Sequence, residues 1–275
     1  MELAVHADIN DENQTTTVTH PTIGTTAVDG ADGDKNVVCD SEGTIVDTVE
    51  YKNVVPGKEY TVNGTLMDKA TGEALEVDGK AVTAQATFTP ETADGTVEVT
   101  FTFDSRAIEA GTQLVVFETL EQGGIEIAVH ADIEDEAQTV TITHPTIGTT
   151  AVDGHDGDKT VVTDGTTTIV DTVEYKNVVP GREYTVKGTL HIKGTDAEGN
   201  VTETVLTDAE GNPVTAETTF TPEERSGSVE VTFTFDSTAV PHGTEIVAFE
   251  SLEQGGIEIA VHADIEDENQ TTDAM

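Results

Sequence analysis

The feature that most constrains this chain is that it repeats itself. DTVEYKNVVPG at 47–57 returns letter for letter at 171–181, and GTTAVDG at 24–30 returns at 148–154, both at an offset of 124 residues. The motif HAD-I-x-D-E-x-Q occurs three times, beginning at His6, His130 and His262. Between the last two the offset is 132, so the second copy carries eight extra residues. The polar stretch Lys193–Pro213 accommodates them and reads as an enlarged surface loop. The segment 125–154 ends one copy and begins the next. Self-similarity of this kind implies like units in series, here two tandem domains, 21–144 and 145–275, each long enough to bury a core. Residues 1–20 read as the C-terminal strand remnant of a preceding repeat. Starting and stopping inside a repeat implies a natural chain that is longer at both ends.

Pattern reading gives strands nearly throughout. YTVNGTL at 60–66, YTVKGTL at 184–190 and VEVTFTF at 97–103 and 229–235 are rich in β-branched and aromatic residues. Turn formers such as VPGK, DKATGEA and PETADG bound them. No segment sustains a helical period, and strands at intervals of roughly ten residues predict an antiparallel β-sandwich. The first copy's last strand runs almost directly into the second copy's first strand at His144-Pro145, which implies a fairly stiff rod.

With 12 Lys and Arg against 54 Asp and Glu, the formal net charge is −42. Such a chain repels nucleic acid and anionic membranes, so neither is an expected partner. Acidity with few aromatics is also a mark of disorder, but the strand alternation argues for a folded, highly soluble protein. The single cysteine, Cys39, excludes an internal disulfide, and Thr163 stands at its place in the second copy. No transmembrane run and no signal peptide are evident.

Chemistry concentrates at acidic and amide positions. In TIVDTVEY the two-residue period puts Asp47 on the apolar face with Ile45, Val49 and Tyr51, and Asp171 repeats the placement. LVVFETL at 114–120 is an apolar run with one carboxylate, Glu118, and IVAFESL places Glu250 likewise. Such a run is buried on both faces, and a buried acid without a basic partner tends to keep its proton. Two buried acids per domain suit a reaction site better than a core. Gln138 shares parity with Val140 and Ile142, so its amide faces inward, where it needs partners for both oxygen and nitrogen. His130 and His262 complete the repeated set, although a lone His is more often structural. The plain alternative for each is a satisfied polar group in a core.

Taken in order, GTTAVDG, DTVEYKNVVPGKEYTV, VVFETL or VAFESL, and HADIEDExQT resemble the ester-bond (VaFE-repeat) domains of Gram-positive surface adhesins, over essentially the whole chain. The resemblance implies an all-β chain of two Ig-like/CnaB-like sandwich domains in a rod. It further implies that a first-strand Thr attacks the side-chain amide of a last-strand Gln, releasing ammonia and leaving an ester, once and autocatalytically. On that basis the nucleophiles are Thr26 and Thr150 and the acceptors Gln138 and Gln270. Asp47, Glu118 and His130 assist in the first domain, and Asp171, Glu250 and His262 in the second. Strand parity by itself leaves Thr25 and Thr26 both open. A Thr hydroxyl needs a base, the departing nitrogen needs an acid, and a buried acid pair sharing a proton serves both; His130 orients this network or shuttles the proton.

The function so implied is a structural stalk module of a cell-surface adhesin, extracellular and anchored to the cell wall in its parent. It is not a turnover enzyme and needs no cofactor. Its partners are neighbouring repeats, and any host ligand is bound by another domain. Gln14 has His6 and acidic neighbours but no partner Thr, so it is expected to remain an amide. After Gln270 the chain reads TTDAM in place of TVTITHP, which leaves the second site less shielded. A related isopeptide module would attack with Lys, but Lys35 lies in a Gly/Asp-rich turn. The alternatives are a calcium-binding acidic β-repeat module using DGADGD at 29–34 and DGHDGD at 153–158, without the EF-hand spacing, and a glycosidase using Asp47 and Glu118.

Overall fold

The structure, a computed structural model, describes residues 4–208 and 210–275. Residues 1–3 of the expected remnant and Ala209 of the expected loop lie outside them. Apart from one 3-10 turn, Glu12–Gln14, the regular structure is β throughout. The first repeat runs β1 (Thr22–Asp29), β2 (Asn36–Val38), β3 (Gly43–Lys52), β4 (Tyr60–Asp68), β5 (Glu76–Val77), β6 (Lys80–Ala81), β7 (Thr83–Phe88), β8 (Gly95–Phe103), β9 (Gln113–Gln122), β10 (Ile125–His130) and β11 (Thr139–Thr143). β1-β3-β8 form one sheet, β2-β11-β9-β4-β7 form the other with β10 also paired to β9, and β5-β6 is a small hairpin. The second repeat runs β12 (Thr146–Asp153), β13 (Thr160–Val161), β14 (Thr166–Lys176), β15 (Tyr184–Thr195), β16 (Val201–Val205), β17 (Thr215–Phe220), β18 (Ser226–Asp236), β19 (Glu245–Gln254), β20 (Ile257–His262) and β21 (Thr271–Ala274). Its sheets are β12-β14-β18 and β13-β21-β19-β15-β16, with β17 on β15 and β20 on β19. One refinement to the antiparallel expectation is that β2 and β11, and likewise β13 and β21, pair in parallel.

By proximity the chain forms two compact units. One comprises Met1–Val28, Ile45–Phe101 and Leu114–Thr139; the other comprises Asp29–Thr44, Thr102–Gln113 and Val140–Met275. Each of the two constellations described below falls within a single unit.

Burial follows the strand period. On β3, Ile45, Asp47, Val49 and Tyr51 face inward, and on β9 Leu114, Val116, Glu118 and Leu120 do so. An acid therefore occupies a core position in each layer. Opposite Glu118 in register stands Gly64. A Cβ there would lie 2.5 Å from Phe101 Cζ, so the missing side chain lets the Phe101 ring fill the space beside the acid. Gly188, opposite Glu250, stands in the same relation to Phe233.

Two expectations are corrected. The extra residues of the second copy are not only a loop: β15 continues to Thr195 and β16 folds back on it, Thr195 pairing with Val201 and His191 with Val205. The β-branched residues of VTETV find a partner edge there, and the intervening turn closes through the Asp196 N–H to the Asn200 carbonyl. Residues 4–20 form no strand, because no sheet edge pairs with them; a His6–Asp11 contact of 2.5 Å and the 3-10 turn persist there without one.

Candidate functional site

β9 receives two partners in succession on one edge, β10 and then β11. Between them residues 131–138 leave the ladder in a turn and return at Gln138. The Gln138 carbonyl accepts from the Val116 N–H at 3.2 Å, which fixes where its side chain enters the core. Gln270 repeats this, accepting from the Ala248 N–H at 3.0 Å.

In the first repeat the Gln138 carboxamide lies wholly buried between two elements. Its Nε2 is 2.8 Å from Glu118 Oε2 on β9 and 2.5 Å from Thr25 Oγ1 on β1. Asp47 lies beside Glu118, and both acids are essentially inaccessible, at 0% and 1% exposure. Burial, then the neighbouring Asp47 carboxyl, pushes Glu118 far above the ordinary carboxylate range, so it holds a proton at neutral pH. The second repeat assembles the same groups. Gln270 Nε2 donates to Glu250 Oε2 at 3.1 Å and reaches toward the His262 carbonyl at 3.5 Å. Burial and then Asp171 push Glu250 up, and burial raises Asp171 as well. Thr149 Oγ1 is buried beside both acids and eases their affinity for protons, yet makes no fully formed hydrogen bond. Gln138 Oε1 and Gln270 Oε1 are buried without a donor among the described residues. An unsatisfied buried acceptor costs about 1–3 kcal/mol, so this arrangement does not serve stability as it stands.

Asp47, Glu118 and Gln138 thus come together, as do Asp171, Glu250 and Gln270. The threonine choice is corrected. Thr25 and Thr149 are buried and point into the site, whereas Thr26 and Thr150 are exposed. On β1 the inward residues are Thr25, Ala27 and Asp29, so Thr26 faces away by strand parity.

The histidines stand aside from the acid pair. His130 is directly opposite Glu118 in register, but its Nε2 contacts Asp135 Oδ2 at 2.8 Å; the His262–Asp267 contact is 3.0 Å. The Asp135 and Asp267 carboxyls are held below their ordinary range, first by that imidazole contact. Asp135 also accepts from the Ala137 N–H through Oδ1 and from the Gln138 N–H through its carbonyl. Imidazole, aspartate and turn together set the backbone entry of Gln138. The sequence reading missed Asp135 and Asp267, whose only signal was their invariant place in the three HAD-I-x-D-E-x-Q copies.

For a metal, Asp29, Asp32 and Asp34 bring one oxygen each within 4.8 Å of one another, the only such group among the described residues. Their carboxylates already accept from backbone N–H groups of Ala31, Asp34 and Asn36 within the turn. No helix among the described residues is long and apolar enough to cross a membrane.

A family described as T-Q ester bond containing domain matches residues 21–142 and again 145–273. No curated protein matches the chain. Among solved structures, a bacterial adhesin from Mobiluncus mulieris containing intramolecular disulfide, isopeptide and ester bond cross-links is 19% identical over 84% of this chain and 81% of its own, with a TM-score of 0.39. A glycosyl hydrolase family 2 member from Bacteroides cellulosilyticus is 10% identical over 86% of this chain and 27% of its own, with a TM-score of 0.31. Neither likeness bears on function.

Proposed function

We take as premise that the chain belongs to the T-Q ester bond containing domain family, matched in both halves, and we propose that each repeat crosslinks itself between Thr25 and Gln138 and between Thr149 and Gln270. The Thr hydroxyl oxygen attacks the Gln Cδ, forming a C–O bond. Its proton passes to the ionised member of the acid pair, Asp47 or Asp171. The C–N bond breaks, and the protonated member, Glu118 or Glu250, supplies the proton with which nitrogen leaves as ammonia. A neutral carboxyl and a carboxylate side by side are the acid and base this needs. Desolvation then keeps water from the ester. The acids are too enclosed to admit a glycan, which argues against a glycosidase.

In this reading residues 21–144 and 145–275 are two domains of an extracellular adhesin stalk, and the ester ties the first strand of each to its last. The observation that carries it is the buried Thr25 hydroxyl lying against the Gln138 carboxamide, which also contacts the buried Glu118. Electrospray mass of the intact protein tests it. A deficit of two ammonia masses is expected, with fragmentation linking Thr25 to Gln138 and Thr149 to Gln270. A full-sequence mass would remove the ester.

A further inference from the structure

We propose that Lys159 is a positioning residue for crosslinking in the second repeat, clamping first and last strands together beside Thr149 and Gln270; the inference rests on the ester reading above. Lys159 follows the acidic turn after β12. Its Nζ donates to the Ala151 carbonyl at 2.6 Å and to the Asn269 carbonyl at 2.5 Å. Ala151 lies two residues beyond Thr149 on the same strand face, and Asn269 immediately precedes Gln270. The Ala151 N–H donates to the same Asn269 carbonyl at 2.9 Å, and the Lys159 carbonyl accepts from the Asp273 N–H at 2.7 Å on β21. One residue is thereby tied to the nucleophile's strand and to both flanks of the acceptor.

The ammonium is also placed electrostatically. Asp171 is the register partner of Ala151, and Lys159 and Asp171 attract one another. Lys159 is half-buried, and burial depresses its proton affinity against that attraction. Two acids sharing one proton carry a single negative charge, and a fixed cation on the Asp171 side favours leaving that charge on Asp171, the group that must accept the Thr149 proton. A chain with only 12 Lys and Arg places one at the end of DGDK in both copies, Lys35 and Lys159. The Lys35 carbonyl accepts from the Thr141 N–H as the Lys159 carbonyl accepts from the Asp273 N–H.

The test follows ammonia loss with time in freshly translated full-length chain, with peptide mapping to separate the two esters, so that the first repeat is an internal reference. Lys159→Met should slow the second ester at least tenfold and leave the first unchanged, and Lys159→Arg should recover most of the rate. If K159M does not fold, Lys159→Gln, with a shorter reach and no charge, should slow the second ester in its place. Second-ester formation within twofold of the unaltered chain in folded K159M or K159Q would overturn the inference, as would K159R no faster than folded K159M. An unaltered chain that loses no ammonia would overturn the ester reading and this inference with it.

Discussion

At the scale of single residues, one position along a strand decides whether a hydroxyl is a reactant or a solvated side chain. Thr25 and Thr26 are chemically identical neighbours, but the pleat sends one into the acid pair and the other into water. Thr25→Ala should therefore abolish ammonia loss in the first repeat, while Thr26→Ala leaves it intact, as read from whole-protein mass with Thr149 and Gln270 unaltered. This choice was not legible in TIGTTAVD because both parities carry apolar residues: Ile23 and Ala27 on one, Val28 on the other. The buried placement of the acids and the amide was legible: parity puts Asp47 with Ile45 and Val49 and Gln138 with Val140 and Ile142, and Glu118 interrupts an apolar run. From sequence, the Gly/Asp-rich turn around Lys35 argues against it as an attacking group. That reading did not allow for a long side chain at the end of such a turn reaching back over the strands, as that of Lys159 does.

At the scale of elements, the informative unit is the turn that separates β10 from β11. The family resemblance gives His130 one of two parts, orienting the proton network or shuttling the proton. In the structure its ring meets Asp135, whose carbonyl and carboxylate organise the return of the chain at Gln138, a geometry that accords with the orienting part. Pairing across a turn depends on how the backbone closes, which strand periodicity does not encode. The same limit explains why VTETV was read as loop: its partner edge exists only because β15 runs on past its first-repeat counterpart. If the imidazole only positions the turn, His130→Ala and Asp135→Asn should each slow the first ester several-fold without abolishing it. The double variant should be no slower than the worse single one, because both remove the same contact. A proton shuttle would show otherwise in the same time course, with His130→Ala near zero and Asp135→Asn close to the unaltered rate.

At the scale of the whole molecule, the consequence of an ester is topological. Thr25 and Gln138 are 113 residues apart, and Thr149 and Gln270 span nearly the same length. By analogy with a disulfide closing a loop of that size, each link removes about 4–5 kcal/mol of denatured-chain freedom. Under load the proposed ester would act more strongly still, because force entering at the first strand would leave through it into the last, and the sheets between would carry none of it. Pulling the unaltered protein by its ends should therefore give no lengthening from either repeat. Thr25→Ala opens one loop, and each residue released adds roughly 3.3–3.6 Å of extended chain. The variant should then show a single unfolding step of about 380 Å by that rule, less the short span already bridged, and Thr25→Ala with Thr149→Ala should show two. Force spectroscopy reads these lengths directly, and a full-length step from the unaltered first repeat would mean that no bond joins its first strand to its last.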